Sequence, residues 1–280
     1  MSDRTDALDA AKRRIDALWD PAGPGTRGRP AKVTRAEVVD AAIALARSGG
    51  LTAVSMRSVA RALGVGAMTL YTHVGSQAEL VDAMVDRAYA DFEPAPAGTG
   101  WREALEQHAR GLWRLYRRHA WLADVNAWRL PLGPHVFDVE EAGYRSLVDS
   151  GLAASEVVEV LSVVQNFVVG YARSVAAEEA EARDQGVDYD AHWRSTSYFW
   201  ENHFDPARYP TMTRLWSVGA FETAPGPLDV PLGTLLDTVG LLIDRARTAA
   251  PPPIPAFTEC MDRYDENLAQ QKEDLADPNP

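Results

Sequence analysis

The sequence predicts an all-α protein: a compact N-terminal unit of three short helices, a linker helix, and a larger helical body behind it. Three observations carry this. Apolar residues recur at three- and four-residue spacing along most of the chain, with few runs of the alternation that strands need. Capping-box starts stand at Thr34-Arg-Ala-Glu37 and Ser76-Gln-Ala-Glu79. Glycine stops stand at Gly49-Gly50 and at Gly64. The 280 residues suit about two domains.

Residues 3–19 carry one apolar stripe, Leu8, Ala11, Ile15 and Leu18, which predicts a short helix. Pro21, Gly23, Pro24 and Gly25 break it. Gly23 to Gly28 spells GPGTRG, a dinucleotide-binding pattern by letters only, since no strand precedes it. Thr34 then opens a helix with Val38, Ala41, Ala42, Leu45 and Ala46 inward. Ser55 caps a second helix, with Val59, Ala60 and Leu63 inward. Gly64 ends it, where a positive φ is easy for glycine. A third helix is expected from about Gly66 to His73, and a longer fourth from Ser76 to about Phe92. Beyond Gly100, helices are expected near 101–118, 119–130, 135–150, 154–184, 190–203, 208–219 and 231–248. The resulting division is an N-terminal extension with a basic arm (1–32), a unit of three short helices with its linker helix (33–92), a helical body (93–250) and a Pro-rich, acidic tail (251–280). Because the helical core is expected to begin near Val33, residues 1–32 are expected to be dispensable for folding.

Composition narrows the function. The single cysteine, Cys260, excludes a disulfide within the chain and a cysteine-based zinc cluster, and fits a reducing cytoplasm. The N-terminus is too charged for a signal peptide. The most apolar stretch, Val157 to Ala172, is interrupted by Glu159, Ser162, Gln165 and Asn166, so no membrane partner is expected. The net charge of −12 argues at first against nucleic acid. Between Arg27 and Val74, however, seven basic residues (Arg27, Arg29, Lys32, Arg35, Arg47, Arg57, Arg61) face only Glu37 and Asp40. A basic patch on an acidic body is an electrostatic footprint for phosphates. No enzyme is expected: Gly-x-Ser-x-Gly, His-Glu-x-x-His and a phosphate loop are all missing. No cofactor and no resident metal are expected either.

The densest motif is SMRSVARALGVGAMTLYTHV, Ser55 to Val74. Two short helices meet at a glycine turn. Ala60 is small where they must approach, Val59, Leu63 and Val65 fill the wedge, and Leu70 anchors the second helix. Ala67, Met68, Thr69, Tyr71, Thr72 and His73 then point elsewhere. In a helix-turn-helix the second helix enters the major groove, and short side chains let its backbone approach the bases.

Val38 to Val85 resembles the DNA-binding domain of the tetracycline-repressor (TetR) family. The matching residues are Ala41-Ala42, Thr52, Ser55, Ser58-Val59-Ala60, Leu63-Gly64-Val65, Thr69-Leu70-Tyr71, His73-Val74 and Leu80. Leu115 to Leu122, Leu132-Gly-Pro134, Tyr209-Pro210 and Phe221-Glu222 resemble the C-terminal half of the tetracycline-repressor branch more loosely. By position, the resemblance implies that Thr69, Tyr71, Thr72, His73 and Gln77, with Ala67 and Met68, lie at DNA. It gives Tyr71 a phosphate contact and makes Arg35 and Arg57, near helix starts, phosphate candidates. Tyr71 and Met68 could alternatively be core residues, and His73 could pack on the fourth helix. The sequence departs from the branch at Ala67, Thr72 and Gln77, so a different operator is expected. Arg27, Arg29 and Lys32 flank Gly28-Arg29-Pro30, which reads either as a minor-groove arm or as a solvated linker.

The body is rich in aromatics, which suits an apolar pocket between helices. Trp113, Tyr116, Trp128, Phe137, Asn166, Phe167 and Tyr171 are its candidate lining, with Asn166 a buried amide that must find a partner. Within the family two C-terminal helices of each subunit form a four-helix bundle. That implies a homodimer through 156–182 and 231–245, with Val157, Leu161, Val164, Val168 and Tyr171 as its stripe. The expected function is a small-molecule-responsive repressor that binds a palindromic double-stranded DNA operator. An activator on the same fold, or a helical enzyme or scaffold with a vestigial helix-turn-helix, is the alternative. An effector-bound divalent ion at His108 and His119 is the one metal route the resemblance suggests.

Overall fold

A computed structural model describes residues 2–19, 33–125, 130–186, 189–221 and 228–249, and scattered positions between 254 and 271. The described residues are helical throughout, without strands, as the patterning predicts. The basic arm (Arg27, Arg29, Lys32), the GPGTRG stretch and Trp128 lie outside the described residues.

The N-terminal unit follows its local signals. α1 spans Ser2–Trp19 and α2 spans Arg35–Gly49. The Thr34 hydroxyl accepts from the Glu37 amide at 3.2 Å, while the Glu37 carboxylate accepts from the Thr34 amide at 2.7 Å. α3 is Met56–Leu63; it ends at Gly64, whose φ of 65° leaves the chain free to reverse. α4 is a single turn, Ala67–Leu70, continued by a turn to His73 rather than by helix. α5 is Gln77–Tyr89, with Ser76 accepting from the Glu79 amide. The reciprocal half of that box is displaced: the Glu79 carboxylate accepts from Gly75, one residue before the cap. Val38, Ala42, Val59, Leu70, Val74, Leu80 and Met84 close the core, all but sealed from water. Leu63 and Val65 fill the wedge only partly, remaining half-buried.

Behind it stand α6 (Trp101–Arg118), α7 (Pro134–Leu147) and α8 (Ala154–Gln185), packed on one another, with α12 (Asp229–Ala249) against α6. Arg102 pairs with Asp237 and Arg110 with Asp229 across that last contact. In the described part of the expected 119–130 helix, a 3₁₀ segment, Ala120–Asp124, stands in place of α-helix. His119 leaves helical geometry (ψ 63°), which turns Trp121 and Leu122 into the core at 2% exposure each. The expected 190–203 helix is two pieces, α9 (Tyr189–Ser195) and α10 (Ser197–Asn202), and α11 follows at Pro210–Trp216.

Two expectations about packing are corrected. The α8 stripe assigned to a partner is inside the protomer: Val157, Leu161, Val164 and Val168 are at most 5% exposed. The apolar residues that α8 leaves in solvent are Val158 and Val163. This two-sided apolarity makes α8 long and apolar enough to cross a membrane by length and composition. The α1 helix, Ser2–Trp19, is likewise not a free extension, because it packs on α5 and buries Leu18 in the common core.

Candidate nucleic-acid interface and effector body

At the reading face, Leu70 and Val74 point inward and are fully buried, which turns the residues between them outward. Met68 is 77% exposed and Tyr71 47%, so neither is a core residue. Thr72 is exposed, its hydroxyl donating to the Thr69 carbonyl at 2.7 Å. Ala67, Thr69 and His73 are half-buried. Arg57 is exposed on the first turn of α3. Gln77 is exposed, but its amide nitrogen donates to the Val54 carbonyl at 3.1 Å, tying the start of α5 to the end of the preceding 3₁₀ turn.

Arg35 departs from its expected place. Its guanidinium donates to the Ala17 carbonyl of α1 and lies 3.8 Å from Glu79, leaving 16% of the side chain exposed. With its donors turned inward, it acts as a joint between α1, α2 and α5 rather than as a free phosphate clamp.

In the body, a polar group gathers where α5, α6, α7 and α8 meet. The Tyr89 and Tyr116 hydroxyls are 3.4 Å apart and buried, and burial raises both phenols above their ordinary range. Burial also raises the Glu140 carboxyl, against which the Gln165 amide donates at 2.9 Å. His108 is 2% exposed, and among the described residues neither ring nitrogen has a partner. Burial pushes its pKa down to about 4, so it is neutral at pH 7. Its ring meets the edge of Phe92 at 5.3 Å. A Cβ on Gly143 would stand 3.0 Å from it and closer still to Leu161, so the glycine is what gives the imidazole room.

Beside this group runs an aromatic ladder. Trp113 and Tyr171 are 5.6 Å apart and Tyr171 stacks on Phe167 at 5.9 Å, with the Arg117 guanidinium 5.7 Å over Trp113. Of the candidate lining residues, Trp113, Tyr116, Phe167 and Tyr171 therefore belong to this region of α6 and α8. Phe137 does not: it is 49% exposed and meets Trp19 of α1 at 6.4 Å. Asn166 is not buried either. It faces solvent and donates to the Ser162 carbonyl one turn back, which is the partner it finds. His119 turns Nε2 toward Asp91 at 3.2 Å, and among the described residues no three His, Cys, Asp or Glu side chains gather as a metal site.

Tyr89, Glu140 and Asp86 were not singled out by sequence. Glu140 and Tyr89 have no local signature, since their partners come from other helices. His108 did have one: it falls between Ala104, Leu105, Ala109 and Leu112, on the face that α6 buries.

A capped helix pair around a left-handed glycine, with an exposed second helix, on a bundle with a polar and aromatic interior, defines a helix-turn-helix transcriptional regulator. Residues 38–84 match the family described as bacterial regulatory proteins, tetR family, and residues 93–224 match the tetracyclin repressor-like C-terminal domain. The chain is 36% identical over 242 residues to the HTH-type transcriptional repressor DrrR1 of Streptomyces coeruleorubidus, covering 86% of this chain and 89% of that one. It is 28% identical over 143 residues to the class D tetracycline repressor protein of Escherichia coli, 50% of this chain and 65% of that one. The crystal structure of the TetR-family protein ActR from Streptomyces coelicolor in complex with actinorhodin superposes with a TM-score of 0.62. It is 26% identical and covers 76% of this chain and 98% of that one. This chain belongs to the TetR family and is a DNA-binding transcriptional regulator.

Proposed function

We propose that the protein is a homodimeric repressor that holds a near-palindromic operator and releases it when a small aromatic effector enters the α6–α8 interior. The observation that carries the effector half is His108. An imidazole 98% buried, neutral, and without a hydrogen-bond partner on either nitrogen costs free energy unless something supplies the bonds. A planar ligand with one donor and one acceptor, lying along the Trp113–Tyr171–Phe167 ladder, would supply them. ActR, a relative of the same fold, is crystallised with actinorhodin. The DNA half rests on Thr69, Tyr71, Thr72 and His73 with Ala67 and Met68 as the reading face, and Arg57 as a phosphate contact. Gln77 is left with its carbonyl oxygen to offer.

A second copy of the chain is the partner that suits the outer surface. Val158 and Val163 of α8, Val230 and Leu241 of α12, Tyr198 of α10, Trp216 of α11 and Phe221 beyond it are apolar and 49–71% exposed within one protomer. So much exposed apolar surface marks an interface. A two-fold dimer presents two reading faces, which fixes half-sites one helical turn apart, about 34–36 Å. Selection of duplexes from a random pool, followed by footprinting across a salt series, tests this. A two-fold footprint with a steep salt slope is expected; an asymmetric footprint on a monomer refutes it. Actinorhodin is the first effector to titrate against the complex.

A further inference from the structure

Both family matches leave α1 out, since they begin at residues 38 and 93. Yet this helix is tied into the molecule at three places. Arg14 grips Asp82 of α5 with two parallel bonds, Nε to Oδ2 at 2.5 Å and Nη2 to Oδ1 at 2.7 Å. The Asp82 side chain is only 9% exposed, so losing Arg14 would strand a nearly buried charge. The Ala17 carbonyl receives the guanidinium of Arg35, the first residue of α2. Trp19 donates its indole N–H to the Leu132 carbonyl at 2.7 Å and sets its ring edge on Phe137 of α7. One helix therefore touches the DNA-reading unit through α2, the linker helix α5 that serves as lever between the two units, and the effector body at the start of α7.

The point it reaches is where lever and body already meet. Asp86 of α5 caps α7, accepting from the amides of His135 at 2.9 Å and Val136 at 3.2 Å and meeting His135 Nδ1 at 2.8 Å. A Cβ on Gly133 would fall on the Asp86 carboxylate, so the two helices approach as closely as backbone permits. Any motion of α7 along α5 must slide Leu132 and Phe137 past Trp19. Most of a helix's stability in a protein comes from packing rather than from propensity, so α1 stays folded on this surface only while its ties to α5 and to the start of α7, all made from residues 14–19, fit together. Its docking is thus conditional on the relative position of α5 and α7, the property a two-state element needs.

We propose that α1 is an intramolecular strap that couples the DNA-reading unit to the start of α7, so that operator occupancy is felt at residues 132–137. The proposal rests on the operator-and-effector reading given above. It assigns to Arg14 and Trp19 a positioning role with no contact to DNA or effector.

Hydrogen–deuterium exchange on the full-length protein tests it, with and without a duplex recovered by selection from a random pool. In the unaltered chain, α1 amides are expected to exchange at least about tenfold more slowly than unstructured ones. Duplex binding is expected to change exchange at 132–137. In the double variant Arg14→Gln, Trp19→Ala, α1 is expected to exchange freely and the duplex-induced change at 132–137 to vanish, with helix content of the remainder retained. Trp19→Phe keeps the ring edge and removes only the indole bond; it is expected to give an intermediate loss. A duplex-induced change at 132–137 that survives in the double variant overturns the strap. So does its absence from the unaltered chain, and so does rapid exchange of α1 there. Recovery of no duplex at all overturns the operator reading instead, and the DNA-free exchange of α1 tells the two failures apart.

Discussion

Replacing His108 by leucine is expected to flatten the acid dependence of stability. In the folded chain the imidazole is 2% exposed, without a partner, and pushed down to about 4. In the unfolded chain it titrates near its ordinary value of about 6.5. The folded pKa is the lower one, so the unfolded chain binds more protons in the interval between them. Stability is therefore intact above about pH 6.5, falls as pH drops through that value, and the loss is complete below about pH 4. Integrated between about pH 7.5 and about pH 4.5, the loss is about 2.5 kcal/mol per chain. Urea unfolding followed by circular dichroism, at fixed protein concentration because subunit association enters the stability, gives the wild-type and His108→Leu curves at each pH. Their difference removes groups common to both, among them Glu140, whose burial-raised carboxyl drives stability the opposite way. A difference that stays flat to within about 0.5 kcal/mol across the range would refute the reasoning, since the ring would then be hydrated or partnered in solution.

Three further outcomes are expected. Tyr71→Phe should weaken binding to all duplexes alike, because a phosphate contact carries no sequence information. Thr69→Ala and Met68→Ala should instead shift base preference, by about 1–3 kcal/mol at a contacted base pair; competition binding over a mutated operator set reads both, and uniform loss in all three variants would displace the reading face. Gly133→Ala should destabilise by about 1–3 kcal/mol, the usual cost of overpacking, because the new methyl meets the Asp86 carboxylate that caps α7; an unchanged urea midpoint would show that α5 and α7 part easily. Leu70→Ala should cost about 2–5 kcal/mol as a cavity in a sealed core and should abolish operator binding through the fold rather than through contacts, which thermal unfolding separates from a binding defect.

The relation of this chain to ActR and to the tetracycline repressor also shapes what a failed effector screen would mean. Those relatives are named with actinorhodin and tetracycline; the polar groups gathered in the interior of this chain are His108, Tyr89 with Tyr116, and Glu140 held by Gln165. Linkage requires that whichever compound weakens operator binding is itself bound more weakly by the operator complex, by the same factor. Equal affinity of a compound for free protein and for the complex would identify a bystander.

By itself, the sequence determined what is settled within a few residues of chain. Thr34 and Glu37, Ser55, Gly64 and the spacing around Leu70 act through bonds and backbone angles of near neighbours. The helix starts, the turn and the burial of Leu70 were therefore legible, while the exposure of Met68 and Tyr71, left open by the sequence, was decided by the fold. The carry-over to the family rests on the same stretch. What only the tertiary structure decided is which surface each amphipathic face meets. Arg35 has the residue type and position of a phosphate clamp, yet the Ala17 carbonyl, 18 residues away, captures its guanidinium. The α8 stripe has the period of a dimer seam, but α6 and α7 cover it first, and Asn166 falls on the opposite face in water. Phe137 left the aromatic interior because Trp19 met it from outside. The docking of α1 depends on Arg14 finding Asp82 across 68 residues and Trp19 finding Leu132 across 113. Helical periodicity says that a face is apolar and says nothing about its partner; that choice is made by the packing of the whole chain, where burying one surface excludes it from every other use.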